Sequence, residues 1–221
     1  MSGRTWAIVG VFMALIAAAT WYLVHGQSGM QTVAGAPAAG IVYEPLPTDH
    51  TLGDSKAKVT VIEYASPTCP VCANFAINYY PRLKSEYIDT GKIFFVYRTF
   101  LRGPDDAMAE KLARCMPKDK YMDFNHTLFS EQPRWDYEFG IPSPAGVHAA
   151  LVQLAQESGM SAADADRCIA STADEAAISK VGEDGVAKYA VAATPTFVIN
   201  GQAASGFENL FSRIDAALAG N

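Results

Sequence analysis

The chain has 221 residues, half of them hydrophobic and 11% aromatic, enough to bury a sizeable core in one folded domain. Its formal charge is -6 and it carries no cluster of lysine or arginine, which excludes an electrostatic footprint for nucleic acid.

Trp6 to Val24 form an uncharged apolar run preceded by Arg4. As a helix this run would span roughly 28 Å, close to the hydrocarbon thickness of a bilayer. A cleavable signal peptide is the competing reading. Its apolar region is usually shorter, about 7–15 residues, and Trp21-Tyr22 sit where interfacial anchors belong, so residues 1–24 read as a signal-anchor. Both readings export the rest of the chain, because the flanking positive charge precedes the run. Residues 25–45 contain Gly35-Ala36-Pro37-Ala38-Ala39-Gly40 and lack periodicity, as a tether does. The folded domain is expected over residues 46–221.

Val59 to Ala65 (VTVIEYA) is β-branched and almost wholly apolar, the pattern of a central strand covered on both faces. It leads into Ser66-Pro67-Thr68-Cys69-Pro70-Val71-Cys72. A helical stretch from Ala73 to Asp89 follows, ended by Thr90-Gly91, and then a second strand, Lys92 to Arg98. Strand, helix, strand at this spacing predicts a parallel crossover.

From about 103 to 191 the signals are helical. Asp105 and Asp106 after Pro104 favour a helix start, and Ser143-Pro144 opens another helix. Ser161 with Asp164 and Thr172 with Glu175 read as capping boxes. Strands return at Thr196 to Ile199 and Gln202 to Ser205 around Asn200-Gly201, the signature of a type I′ hairpin. A last helix from about Glu208 to Leu218 puts Leu210, Phe211, Ile214 and Leu218 on one face. The fold class is therefore α/β, in the order βαβ, helical insertion, ββα.

Two cysteines two residues apart close a small disulfide ring or supply half of a zinc site. Cys69 ends a strand loop and Cys72 lies in the first turn of a helix, with Pro70 suited to helix entry and Val71 completing the spacer. Free amides and the helix dipole then favour the Cys69 thiolate, making it the candidate nucleophile. Cys72, facing the interior one turn later, would resolve a mixed disulfide. Zinc would need two further ligands, and Cys115 and Cys168 lack partner spacing, so no metal or cofactor is expected.

Glu63 six positions before Cys69, the CPxC at a helix start, the helical insertion and Ala193-Thr194-Pro195-Thr196-Phe197 together resemble the DsbA family of thioredoxin-fold proteins, over residues 46–221. The resemblance implies a thioredoxin-like fold and disulfide exchange with unfolded, reduced exported polypeptides in the periplasm. It also implies a cis proline at Pro195 facing the CxxC, with Thr194 contacting substrate, and recharging by a DsbB-like membrane oxidase. Glu63, alone among apolar neighbours, would have a raised pKa suited to taking the Cys72 proton. A strand-end acid reaching water is the bland alternative. The spacer is Pro-Val where the best-known members carry a histidine, which predicts a less oxidising centre. Threonine before the proline resembles the isomerase branch. Oxidase, isomerase or cytochrome-maturation reductase thus all stay open, as does a tethered chaperone with incidental cysteines.

Four cysteines in an oxidising compartment suggest two bridges. With the CxxC taken, Cys115 with Cys168 is the remaining pair, and some DsbA-like proteins carry such a bridge. Two unpaired buried thiols are the alternative. His126 and His148 lack ligand spacing, and Trp135 reads as packing within the insertion. A monomer is expected.

Overall fold

The computed structural model describes residues 43–220. The expected anchor at 1–24 and nearly all of the expected tether lie outside the described residues. Among those described, no helix is long and apolar enough to cross a membrane.

Five strands form one sheet: β1 (His50–Gly53), β2 (Val59–Ala65), β3 (Ile93–Thr99), β4 (Thr196–Ile199) and β5 (Gln202–Ser205), in the order β1-β3-β2-β4-β5. β2 is central and parallel to β3, while β4 runs antiparallel to it with Glu63 opposite Phe197. The parallel crossover read from the sequence is present. β1 was not read from the sequence. It is four residues long, alternately exposed, and owes its place to antiparallel pairing with β3, a partner more than forty residues away.

Alternation along β2 sends Val59, Val61, Glu63 and Ala65 to one face and Ile62 and Tyr64 to the other. The first face carries the main core, where α1 (Pro70–Asn78) packs Phe75 edge-on against Phe197 at 4.8 Å between ring centres. The second face is covered by α8 (Glu175–Tyr189) and by Tyr43 and Leu46. Thus Tyr43 to Pro45, the end of the stretch read as a tether, adjoin a packed segment. Tyr43 Oη and the Leu46 N–H donate to Asp49, and Asp49 pairs with the buried Arg98 at 2.7 Å. Arg98 also donates to the Tyr64 hydroxyl and the Glu44 carbonyl.

The stretch expected as one helix over Ala73 to Asp89 is broken. α1 ends at Asn78, α2 spans Tyr80–Leu83, and Lys84–Ile88 form a π-helical turn. Pro81 is the cause, since it has no N–H for the preceding turn and its ring clashes with the carbonyl four residues back.

The insertion comprises α3 (Pro104–Cys115), α4 (Tyr121–Ser130), α5 (Gln132–Trp135), α6 (Pro144–Glu157), α7 (Ala162–Ala170) and α8. Ser143 and Ser161 cap α6 and α7 by accepting from Gly146 N–H and Asp164 N–H, each at 3.1 Å. Thr172 does not cap α8. That helix starts after Asp174, where Glu175 and Asp174 are held by Lys111 and Arg114 of α3. Trp135 is fully buried, its indole N–H on the Leu128 carbonyl at 2.8 Å, so it packs the insertion. The hairpin turn has φ 46° at Asn200 and 86° at Gly201, both in the left-handed region a type I′ turn requires. The last helix, α9, spans Leu210–Leu218.

Candidate active site

Chain leaving β2 turns through Ser66, Pro67 and Thr68 into α1. Pro70 occupies the first turn, where a missing N–H costs nothing. Cys69 is therefore the N-cap, and its sulfur accepts from the Cys72 backbone N–H at 3.4 Å. Both cysteines are thiols, Cys69 5% exposed and Cys72 fully buried, while Val71 stands 48% exposed beside them.

The Cys69 thiol is pushed down to about 5. The Cys72 S–H donating to it is the largest influence, burial opposes, and the Thr194 side chain and the Cys72 and Val71 N–H groups add to the lowering. The Cys72 thiol is driven strongly upward by burial, by its hydrogen bond to Cys69, and by charge at Cys69 and Glu63. A proton shared by the pair therefore resides on Cys72.

Two further segments meet the pair. The Thr194–Pro195 peptide is cis, and the Thr194 carbonyl lies 3.4 Å from the Cys69 sulfur, within reach of its S–H. Below, Glu63 is 4% exposed and burial lifts its carboxyl to about 8. It does not reach water as a strand-end acid would. A cavity of about 20 Å³ adjoins it, bordered by Tyr97, Asn125 and His126; a space of that order admits one water molecule.

Two residues that sequence reasoning missed hold this loop in place. Asp106 of α3, fully buried, accepts from the Ser66 hydroxyl at 2.8 Å and from the backbone N–H groups of Thr68 at 2.9 Å and Arg102 at 2.6 Å. Gln132 of α5 donates its amide to the carbonyls of Pro67 at 2.6 Å and Cys69 at 3.1 Å. Asp106 was visible as an N-terminal helix acid, but nothing local says that it reaches back some forty residues. Gln132 gave no signal.

Of the remaining candidates, His126 borders the cavity beside Glu63 and the others lie elsewhere. Cys115 and Cys168 are bonded to each other, joining the end of α3 to α7 with Cα atoms 6.2 Å apart. His148 lies 3.3 Å from Asp166, and His126 is exposed.

A cap-position thiol of low pKa, a buried partner thiol and a cis-proline loop against the first sulfur define a thioredoxin-fold dithiol protein. The family model described as Thioredoxin matches residues 46–216. Among relatives, a Rickettsia typhi protein named a protein-disulfide oxidoreductase is 31% identical over 180 residues, which is 77% of this chain and 62% of that protein. Disulfide bond formation protein D of Bacillus subtilis is 28% identical over 54% of this chain and 53% of its own length. The crystal structure of Wolbachia pipientis alpha-DsbA1 superposes with a TM-score of 0.70 at 28% identity, covering 80% of this chain and 94% of that one. The chain belongs to the thioredoxin family, in its DsbA-like branch. It spans about three-fifths of the length of that Rickettsia typhi protein and of a Rickettsia prowazekii relative.

Proposed function

We propose that this protein is an extracytoplasmic thiol:disulfide oxidoreductase that introduces disulfides into exported polypeptides through Cys69 and Cys72. The observation that carries the reading is the split between a low-pKa sulfur at the helix start and a buried thiol behind it. With the Cys69–Cys72 disulfide formed, a substrate thiolate attacks Cys69 Sγ. The Cys69–Cys72 bond breaks, and Cys72 leaves with the electron pair and takes a proton from Glu63. A second substrate thiolate then attacks the substrate sulfur of the mixed disulfide and expels Cys69 as a thiolate, which its low pKa makes a good leaving group. Two electrons pass to the protein, the substrate gains one disulfide, and a membrane oxidase of DsbB-like chemistry would restore the starting state. The backbone of Thr194 beside Pro195 would pair with the extended substrate.

Residues 1–24 would direct export and, if retained, anchor the domain at residues 46–221 to the inner membrane. Threonine before Pro195 and the absence of a histidine in the spacer favour isomerase or reductase work as the second reading. A reduction potential measured against glutathione separates the two. Cys69→Ser should abolish exchange with reduced substrate, and Cys72→Ser should accumulate a mixed disulfide. Normal turnover by Cys69→Ser would overturn the reading.

A further inference from the structure

One residue before Cys69 the surface opens into a pocket of about 200 Å³ that includes Thr68, Arg102, Asp105, Asp136, Tyr137 and Glu138. Three carboxylates and one guanidinium face this space. Arg102 is committed twice, to the Thr68 carbonyl at 3.3 Å and to Glu138 at 3.4 Å. Counting Asp106 behind the wall, four acids stand against one base, and burial pushes the carboxyls of Asp105 and Asp136 upward. Asp136 is the more telling residue. It is 1% exposed, its Oδ1 accepts from the Glu138 N–H at 3.0 Å, and its Oδ2 has no hydrogen-bond partner. A buried carboxylate oxygen left unsatisfied costs free energy that a cationic donor would recover. Tyr137, 57% exposed at the rim, supplies an aromatic face for the stem of such a group.

We infer that this pocket is a specificity subsite which takes a lysine or arginine side chain of the polypeptide being oxidised, so that cysteines with a basic neighbour react preferentially. The inference rests on the exchange function proposed above. No residue of the 193–195 loop lines the pocket, so it would hold a different part of the substrate from the one that pairs with Thr194. An organic cation suits it better than a metal ion, since among the described residues no group of three or more acidic, histidine or cysteine side chains is arranged to hold one.

The test uses the oxidised full-length protein and a set of neutral cysteine peptides. Each carries Lys, Ala or Glu at one position within three residues of the cysteine, and second-order reaction rates are measured. At one such position Lys should react about tenfold faster than Glu at low salt, with the gap collapsing toward unity in about 1 M salt. Glu138→Gln and Asp105→Asn should each shrink the preference while leaving the rate toward the Ala peptide unchanged. Equal rates for Lys, Ala and Glu peptides at every position would overturn the inference while leaving exchange intact. So would a preference that survives both substitutions, which would trace it to the overall negative charge. Thermal stabilisation by calcium chloride without any Lys preference would make the pocket a metal site and overturn it too. Failure of every peptide to react, Ala included, would sink the exchange reading and this inference with it.

Discussion

At the scale of single residues, the chemistry depends on where two protons sit. The Cys69 thiol, ordinarily near 9, is pushed down to about 5, mainly because Cys72 donates to it. Thiolate absorbance near 240 nm in the reduced protein should titrate with a midpoint near 5, and a midpoint left near the ordinary thiol value would refute helix-start activation. Cys72→Ala should move the midpoint upward, since it removes the largest lowering influence and leaves the backbone donors. Glu63 runs the other way. Its carboxyl is lifted from 4.5 to about 8, so between those values the folded chain holds a proton that the unfolded chain has released. Stability attributable to this group therefore falls as pH rises through that interval and is lowest once Glu63 ionises in place. Glu63→Gln should match the parent in Tm near pH 4 and exceed it near pH 9, a difference of order a few kcal/mol for a fully buried carboxylate. Equal stability at both pH values would show that the carboxyl is solvated. On the relay proposed above, in which Glu63 supplies the Cys72 proton, the same variant should slow exchange.

Secondary-structure elements show where local sequence suffices and where it fails. β2, β3, the hairpin and the caps at Ser143 and Ser161 follow from periodicity, β-branching and short-range hydrogen bonding, and all are legible in the chain. The edge strand at His50 is not, because a four-residue segment with a single large apolar side chain, Leu52, becomes a strand only when β3 offers its edge. The pair of cysteines and the threonine-proline loop were likewise readable as motifs. Asp106 and Gln132, which hold the loop between them, were not, because their partners are distant in sequence. Asp106→Ala would strand several buried donors at once and should destabilise the fold by about 3 kcal/mol or more. Circular dichroism melts of that variant check the figure. The seat of α8 on the sheet offers a second case. A Cβ at Gly185 would lie 2.7 Å from the Tyr64 ring, whose hydroxyl is fixed by Arg98. Gly185→Ala would gain about 1 kcal/mol in helix propensity, against an overpacking cost of about 1–3 kcal/mol. Since the ring is buried and tied at its far end, overpacking should win and the variant should melt below the parent.

Across the whole molecule, three long-range ties join parts that the sheet alone would not fix. The Arg98–Asp49 pair clamps the entering chain to β3, the Asp106 carboxylate clamps the insertion to the cysteine loop, and the Cys115–Cys168 bond clamps α3 to α7 within the insertion. The first two place buried charge where losing one partner leaves the other unpaired, whereas the third acts mainly on the unfolded chain. Cross-linking residues 53 apart removes conformations from that ensemble, and on the chain-entropy model the bond contributes about 4 kcal/mol. Neither sulfur belongs to the constellation at Cys69. Replacing both with serine should therefore lower the denaturant midpoint by the equivalent of about 2–4 kcal/mol, while the rate at which Cys69 reacts with a small thiol probe stays within about twofold of the parent, because the bond is uncharged and is not among the groups that lower the Cys69 thiol. The two readouts divide the possibilities. A lower midpoint with unchanged reactivity makes the second bond a staple of the insertion. A large change in Cys69 reactivity would instead mean that strain in the insertion reaches the cysteine loop through Asp106 and Gln132, the contacts by which α3 and α5 touch it.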